Sequence, residues 1–126
     1  MPSEASTTAL ADALREARLL AAARPWTIPT PATEAEAVQL LALLAADAAL
    51  PAPDIEAQPD GALHFTWEAG ERGWATLSVD GHARLTHSAV IDGDEYTLAE
   101  PWDAHAGALT DWAAEVLRRL WRKIGP

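Results

Sequence analysis

Residues 60–98 alternate apolar and polar side chains in short runs, and three turn sequences separate these runs. Such alternation is typical of β-strands that have one face buried and the other exposed. The turns are a glycine-rich segment at 70–73 and two dipeptides, Asp80-Gly81 and Asp92-Gly93, of a kind common in tight hairpin connections. This stretch therefore predicts an antiparallel sheet in which strands adjacent in sequence are adjacent in space.

One face of the predicted sheet is apolar and the other is polar. In the first strand (62–68) and the second strand, the apolar residues are Leu63, Phe65, Trp67, Ala75, Leu77 and Val79. The opposite, outer face carries His64, Thr66, Trp74 and Arg84. Because a slip of one residue moves every side chain to the other face, the lengths of the turns decide which residues pair.

The two Asp-Gly turns are predicted to differ in length. A two-residue turn at Asp80-Gly81 would mix the faces, whereas a three-residue loop at 80–82 keeps them in phase. That loop predicts the pairs Val79–Ala83, Leu77–Leu85 and Ala75–His87. At Asp92-Gly93 a two-residue turn suffices, and it predicts the pairs Ala89–Tyr96 and His87–Leu98.

Helical periodicity precedes the predicted sheet. A first helix is predicted at 7–24, with a thin apolar stripe of Leu10, Leu14, Ala17 and Ala21. The stripe is thin enough that this helix is either loosely docked or completed by a partner. Residues 25–31 contain three prolines, which favour an extended strut. Trp26 and Ile28 project from this strut, so we expect both to dock on the rest of the protein.

Two starts are open for the second helix. Thr33 and Glu36 have the spacing of a capping box, whereas Thr30 could cap a helix with Pro31 at its first position. The predicted buried face is Val38, Leu41, Leu44 and Ala45, widened by Leu40 and Leu43. Residues 54–56 are predicted to bridge this helix to the sheet.

The last helix has the strongest helical period in the chain, over residues 109–124. It is predicted to begin near Asp103 or near Thr110 and to end at Gly125. Together these elements predict an α+β fold: a four-stranded antiparallel meander packed against a C-terminal amphipathic helix, with two N-terminal helices. The chain length allows a single globular domain, in which residues 1–31 form the N-terminal helix and proline-rich strut and residues 32–126 form the α+β core domain.

The negative charge is concentrated in the middle of the chain. The net charge is −10, and residues 32–104 hold fourteen Asp or Glu against two Arg. This balance argues against direct binding of nucleic acid and favours a protein partner with a basic surface. No apolar run approaches the ~20 residues that span a bilayer, and no basic cluster opens a signal peptide. We therefore expect a cytoplasmic protein with no membrane partner, and eight Arg against one Lys favour a bacterial or phage source.

The sequence predicts no catalytic, cofactor-binding or metal site. There is no cysteine, and no two of the four histidines have the i,i+4 spacing of a helical zinc site. His87 could form an acid/base pair with Asp92, Asp94 or Glu95, although such proximity is common in hairpins. His64 is the other candidate for a small enzyme site, and we rank both below a non-catalytic role.

Trp74 is the most informative of the six tryptophans. It alternates out of phase with Ala75 and Leu77, so it is predicted to be exposed, and tryptophan dominates many binding hot spots. The alternative is that the first helix or the strut covers it. The predicted partner-binding residues are Trp74, Asp92, Asp94, Glu95, Glu100 and Asp103. For the carboxylates, the alternative is a solvated edge that discourages aggregation.

The segment 53–81 carries a recognisable pattern. Pro53-Asp54-Ile55 is followed by Asp60-Gly61, by a strand that ends in Trp67 and by a second strand that runs into Asp80-Gly81. This pattern resembles that of many small uncharacterised bacterial and mobile-element proteins, over about residues 33–124. The resemblance implies an α+β fold with a helix-backed antiparallel sheet, and it carries no activity or site residues with it.

The charge segregation favours a non-catalytic acidic binding protein. We expect an inhibitor of a basic or nucleic-acid-binding partner, of the antitoxin, immunity or anti-CRISPR type, which mimics nucleic acid. A second hypothesis is an acidic secretion-type chaperone or a homodimeric scaffold that pairs through its N-terminal helix. The third is a small enzyme that uses His64 or His87.

Overall fold

The computed structural model describes residues 4–45 and 51–121. Over those residues the chain forms three α-helices and a five-stranded antiparallel sheet. The helices are α1 (Glu4–Ala23), α2 (Pro31–Ala45) and α3 (Asp111–Trp121). The strands are β1 (Asp54–Ala57), β2 (Leu63–Glu68), β3 (Gly73–Val79), β4 (Arg84–Ile91) and β5 (Asp94–Pro101). The strand order follows the chain, so the predicted α+β class and meander are confirmed.

The sheet has five strands where four were predicted. Residues 54–56, expected to be a connection, belong to β1, which pairs antiparallel with β2 through Ile55–Phe65 and Ala57–Leu63. The strand is only four residues long, and Pro53 and Pro59 lie close on either side. It therefore offers too few residues for alternation to be recognised in the sequence.

The pairing of β3 with β4 is shifted by two residues from the predicted register. Val79 pairs with Leu85 and Leu77 with His87, instead of with Ala83 and Leu85. The Ala83 N–H donates to the carboxylate of Glu36 at 2.9 Å, so Ala83 is held in the loop and does not pair with β3. Because the error is an even number of residues, every side chain still lies on its predicted face.

The β4–β5 turn follows the prediction. Ala89 pairs with Tyr96 and His87 with Leu98 across a two-residue connection. Its two central residues, Asp92 (φ 51°) and Gly93 (φ 86°), both have the positive φ of a type I′ turn.

The second helix uses the Thr30 start. Thr30 Oγ1 accepts a hydrogen bond from the Thr33 N–H at 3.2 Å, and Pro31 is the first helical residue. The predicted buried face was wrong for Val38, which is 48% exposed, and for Ala45, which is also exposed. The face turned toward the core consists of Thr33, Glu36, Ala37, Leu40, Leu41 and Leu44.

The strut between α1 and α2 is anchored through Thr27, whose N–H donates to the Pro59 carbonyl at 2.8 Å. Trp26 is half-buried, as expected, but Ile28 remains 44% exposed. At the other end of the chain, α3 uses the Thr110 start, since Thr110 Oγ1 accepts from the Ala113 N–H at 3.2 Å. The predicted stop at Gly125 lies outside the described residues.

One core joins the sheet to all three helices. The inner face of the sheet contributes fully buried residues such as Leu63, Phe65 and Leu77, and the core also includes Leu10 of α1. Its helical residues from α2 and α3 are Ala37, Leu40, Leu41, Leu44, Ala113, Val116, Leu117 and Leu120. On the outer face of the described strands, by contrast, no side chain is fully buried.

Within the described residues, no helix has both the length and the apolar character that crossing a membrane requires.

Candidate functional site

The outer face of the sheet is open and hydrophilic. Its centre is a set of small hydroxyl side chains that are half-buried or exposed: Thr66, Thr76, Ser78, Thr86, Ser88 and Thr97. The hydroxyls of Thr66 and Thr76 lie 3.0 Å apart across β2 and β3. None of the described helices buries this face, so its side chains are accessible to a partner.

Trp74 interrupts this hydrophilic face at one end. It is 40% exposed, and neither α1 nor the strut covers it. The register places Glu68 beside it on β2 and Val90 beside it on β4, with Glu95 of β5 next to Val90. With strands about 4.8 Å apart, Trp74 and Glu95 lie about 10 Å from each other in one cross-strand row.

Arg84 shares the outer face with Trp74 but lies at the opposite end of β4. Its guanidinium forms a 2.7 Å ion pair with Asp80. Burial alone would raise the pKa of Asp80, but the hydrogen bonds from Arg84 and from the His82 N–H outweigh it and lower that pKa. Arg84 therefore stabilises its own loop and does not flank Trp74.

The acidic residues around β5 are only partly neutralised. Asp92 lies 3.3 Å from the Arg72 guanidinium, and Glu100 lies 3.6 Å from the His87 imidazole, which carries a positive charge only when it is protonated. In the described part of the chain, Asp94, Glu95 and Asp103 have no cationic side chain within ion-pair distance. All three are exposed: Asp94 and Glu95 lie on β5, and Asp103 follows its end.

The six predicted contact residues do not form a single patch. Trp74, Asp92, Asp94 and Glu95 lie at the turn end of β5. Glu100 lies six residues further along, about 20 Å away at about 3.4 Å per residue, and it lies on the inner face. Asp103 follows β5 and caps the 3-10 turn Ala104–Ala106 by accepting from the His105 N–H at 2.8 Å.

His87 is fully buried on the inner face of β4, and its carboxylate neighbour is Glu100. The sequence had suggested Asp92, Asp94 or Glu95 instead, but the two-residue turn brings Glu100 onto the same face and diagonal to His87. Burial lowers the pKa of His87, although the charge of Glu100 acts in the opposite direction. Trp112 of α3 packs near the ring, with centroids 6.3 Å apart.

The other histidines offer no clearer chemistry. Burial lowers the pKa of half-buried His64, against the opposing charges of Asp60 and Glu56. His82 and His105 are exposed. Among residues 4–45 and 51–121, no group of three or more His, Asp or Glu is arranged to hold a metal ion.

Sequence reasoning missed the contact that Glu36 makes. Its buried carboxylate accepts from the Gly81 N–H at 2.7 Å and from the Ala83 N–H at 2.9 Å, so it links α2 to the β3–β4 loop. A cleft of about 530 Å³ opens beside it, lined by four alanines together with Gly81, Pro101, Trp102, Asp103 and His105. Each oxygen of Glu36 accepts one backbone N–H, so this carboxylate is a structural link between α2 and the loop.

Comparison of the chain with protein-family models, with curated proteins and with solved structures finds no match.

Proposed function

We propose that this chain is a non-catalytic acidic binding protein whose partner presents a basic surface. In this view it acts as an inhibitor, of the antitoxin, immunity or anti-CRISPR type, and occupies a surface that otherwise binds nucleic acid. The observation that carries the proposal is the row that holds exposed Trp74 and unneutralised Glu95 on an uncovered sheet face.

Charge and exposure support this assignment in different ways. An exposed tryptophan offers a large apolar contact area, which is typical of residues that dominate binding energy. Carboxylates without cationic neighbours repel one another, and a basic partner relieves that repulsion and is attracted at long range. His87 and Glu36, by contrast, are both buried, so neither side chain is exposed to a partner as Trp74 is.

The proposal is tested by capture from a lysate of the source cells on immobilised protein, with and without heparin as a competing polyanion. We expect a nucleic-acid-binding protein that heparin displaces, and we expect Trp74→Ala to capture less of it. Ile28→Ala is the matched control, since Ile28 is exposed to a similar extent on the strut. Captured proteins that resist heparin and bind Trp74→Ala as well as the wild type would contradict the proposal.

A homodimeric scaffold or secretion-type chaperone is the second candidate. One observation favours it: Leu19 of α1 is 68% exposed, although the Leu10, Ala13 and Ala17 stripe is already buried within the monomer. Mass measurement at low concentration distinguishes the two candidates, because a dimer that Leu19→Glu dissociates supports the scaffold and a monomer excludes it.

A further inference from the structure

We propose that the free edge of β5 accepts an extended basic segment of the partner as an additional antiparallel or parallel strand. This inference rests on the proposed function and specifies how the partner is bound. Main-chain hydrogen bonds supply affinity in such strand addition, and alternate side chains supply specificity.

The two edges of the sheet differ in how they are covered. The β1 edge is short, and α1 packs against it. Strand β5 is eight residues long, and among the described residues β4 is the only element with which it makes extensive contact. Six of its eight residues are exposed. This edge therefore presents unpaired backbone groups to solvent.

The hydrogen-bonding phase of the hairpin identifies those groups. Trp102 N–H donates to the Ala83 carbonyl at 2.9 Å, so this pair is hydrogen-bonded. In an antiparallel ladder the bonded pairs recur at every second residue, which gives Leu85–Glu100, His87–Leu98, Ala89–Tyr96 and Ile91–Asp94. The backbone groups of Glu95, Thr97 and Ala99 consequently point away from β4. Pro101 is the next residue in this alternation. Because proline has no N–H, the series of free donors on this edge ends before it.

Side chains on both faces of β5 indicate the chemistry of the added strand. On the inner face Leu98 is 41% exposed, and it is flanked along the strand by Tyr96 and Glu100. Tyr96 is already held by α3, since its hydroxyl accepts from Arg119 at 3.1 Å. Leu98 is thus the apolar side chain that remains open on this face, and the added strand would place an apolar side chain beside it. Basic side chains would lie near the carboxylates at the two ends, Asp94, Glu95 and Glu100.

The same charges oppose pairing of this edge with a second copy of the chain. An antiparallel pair of β5 edges centred on Thr97 would place Asp94 opposite Glu100 of the second copy at both ends, and like charges across a strand pair are destabilising. Charge complementarity thus favours a basic segment over self-association.

The probe is a synthetic peptide with a central valine and lysines toward both ends, titrated into the ¹⁵N-labelled full chain. We expect the largest amide shifts at Glu95, Thr97 and Ala99. Thr97→Pro should lower the affinity about tenfold, because it removes a free-edge donor without touching the β4 ladder, whereas Thr97→Ala should not change it. Ala99→Pro is a second variant in the same phase, should Thr97→Pro disturb folding. A peptide with glutamate in place of lysine is not expected to bind.

Two results would overturn the proposal. One is amide shifts centred on Trp74 and Thr76 with β5 unaffected, which leaves a basic partner in place but refutes strand addition. The other is the absence of any interaction with the lysine peptide while the captured partner still binds in a salt-dependent manner. If neither the peptide nor any basic partner binds, the proposed function fails with it.

Discussion

The Glu36 carboxylate joins two elements that are far apart in sequence. It accepts from the backbone of Gly81 and Ala83, and those donors are held in a loop where they have few alternatives. Gly81 has φ 84°, and a Cβ there would lie 2.8 Å from Thr33 Oγ1, so the loop fits closely against the first turn of α2. The Glu36 side chain therefore holds the β3–β4 connection against α2, while the Asp80–Arg84 ion pair holds it from within.

Replacing Glu36 by alanine should lower the free energy of unfolding by about 2–4 kcal/mol, because two partly buried N–H groups lose a charged acceptor. Glu36→Gln keeps one acceptor oxygen and should cost less. Glu34→Ala is the control, since Glu34 makes only an exposed 3.4 Å ion pair with Arg18 and should cost less than about 0.5 kcal/mol. Urea unfolding measures all three, and equal losses for Glu34→Ala and Glu36→Ala would refute the role of Glu36.

His87 should make the stability of the protein depend on pH. Burial lowers its pKa in the folded state, so below its ordinary value of 6.5 the unfolded chain binds more protons than the folded one. The free energy of unfolding should therefore fall as the pH drops below about 6.5, and this contribution is fully present above that value. His87→Leu should flatten the pH profile between pH about 7.5 and about 5.5.

The control for this prediction is His105→Leu, which alters an exposed histidine on the 3-10 turn. It should keep the wild-type dependence of unfolding free energy on pH. If His87→Leu retains the wild-type pH profile, the buried imidazole is not its source.

At the scale of the elements, Gly73 begins β3 in a backbone conformation that other residues rarely adopt. Its φ is 134°, and a Cβ at this position would collide with the carbonyl oxygen of Val90 on β4. Gly73→Ala should lower the free energy of unfolding by at least about 1–3 kcal/mol through backbone strain, with the collision adding to it.

Gly70→Ala is the comparison variant. Gly70 also has a positive φ, 61°, but a Cβ added there would meet nothing within 4 Å, so only the strain applies. Chemical denaturation should show a clearly larger loss for Gly73→Ala. Similar losses for the two variants would mean that the β3–β4 pairing at Val90 can shift to make room.

The sequence predicted the faces of the strands better than their partners. Alternation decides on which face Leu77 or Trp74 lies, and a register error of two residues leaves that face unchanged. The pairing of Val79 with Leu85 depends on Glu36, which lies more than forty residues earlier, and no local pattern reveals such a contact. The Thr30 and Thr110 starts were open alternatives, because local capping signals at neighbouring positions compete.

For the candidate site, too, the sequence predicted the face on which a residue lies better than the residues near it. The exposure of Trp74 followed from its phase along β3, and the unpaired state of Glu95 was consistent with its place on the last strand. The separation of Glu100 from Trp74 by face and by about 20 Å required the register of β5. The carboxylate neighbour of His87 was mispredicted for the same reason.

At the scale of the whole molecule, the two faces of the sheet differ in whether helices pack on them. The inner face is closed by three helices that share one core, while the outer face and β5 are open among the described residues. The protein thus combines a net charge of −10 with an uncovered sheet surface that contains an exposed tryptophan. This combination is what the proposed binding of a basic partner explains.

The most direct test compares two double variants of equal net charge in binding to the purified captured partner. Asp94→Asn/Glu95→Gln removes two carboxylates from β5, and Asp54→Asn/Glu56→Gln removes two from β1, at the opposite edge of the same sheet. Affinity is measured by isothermal titration calorimetry from about 0.01 M to about 1 M salt, over which the Debye length falls from about 30 Å to about 3 Å. We expect the β5 double variant to bind more weakly and with a shallower salt dependence, and the β1 double variant to match the wild type. Equal effects of the two variants, or an affinity of the wild type that salt does not change, would contradict binding of a basic partner at β5.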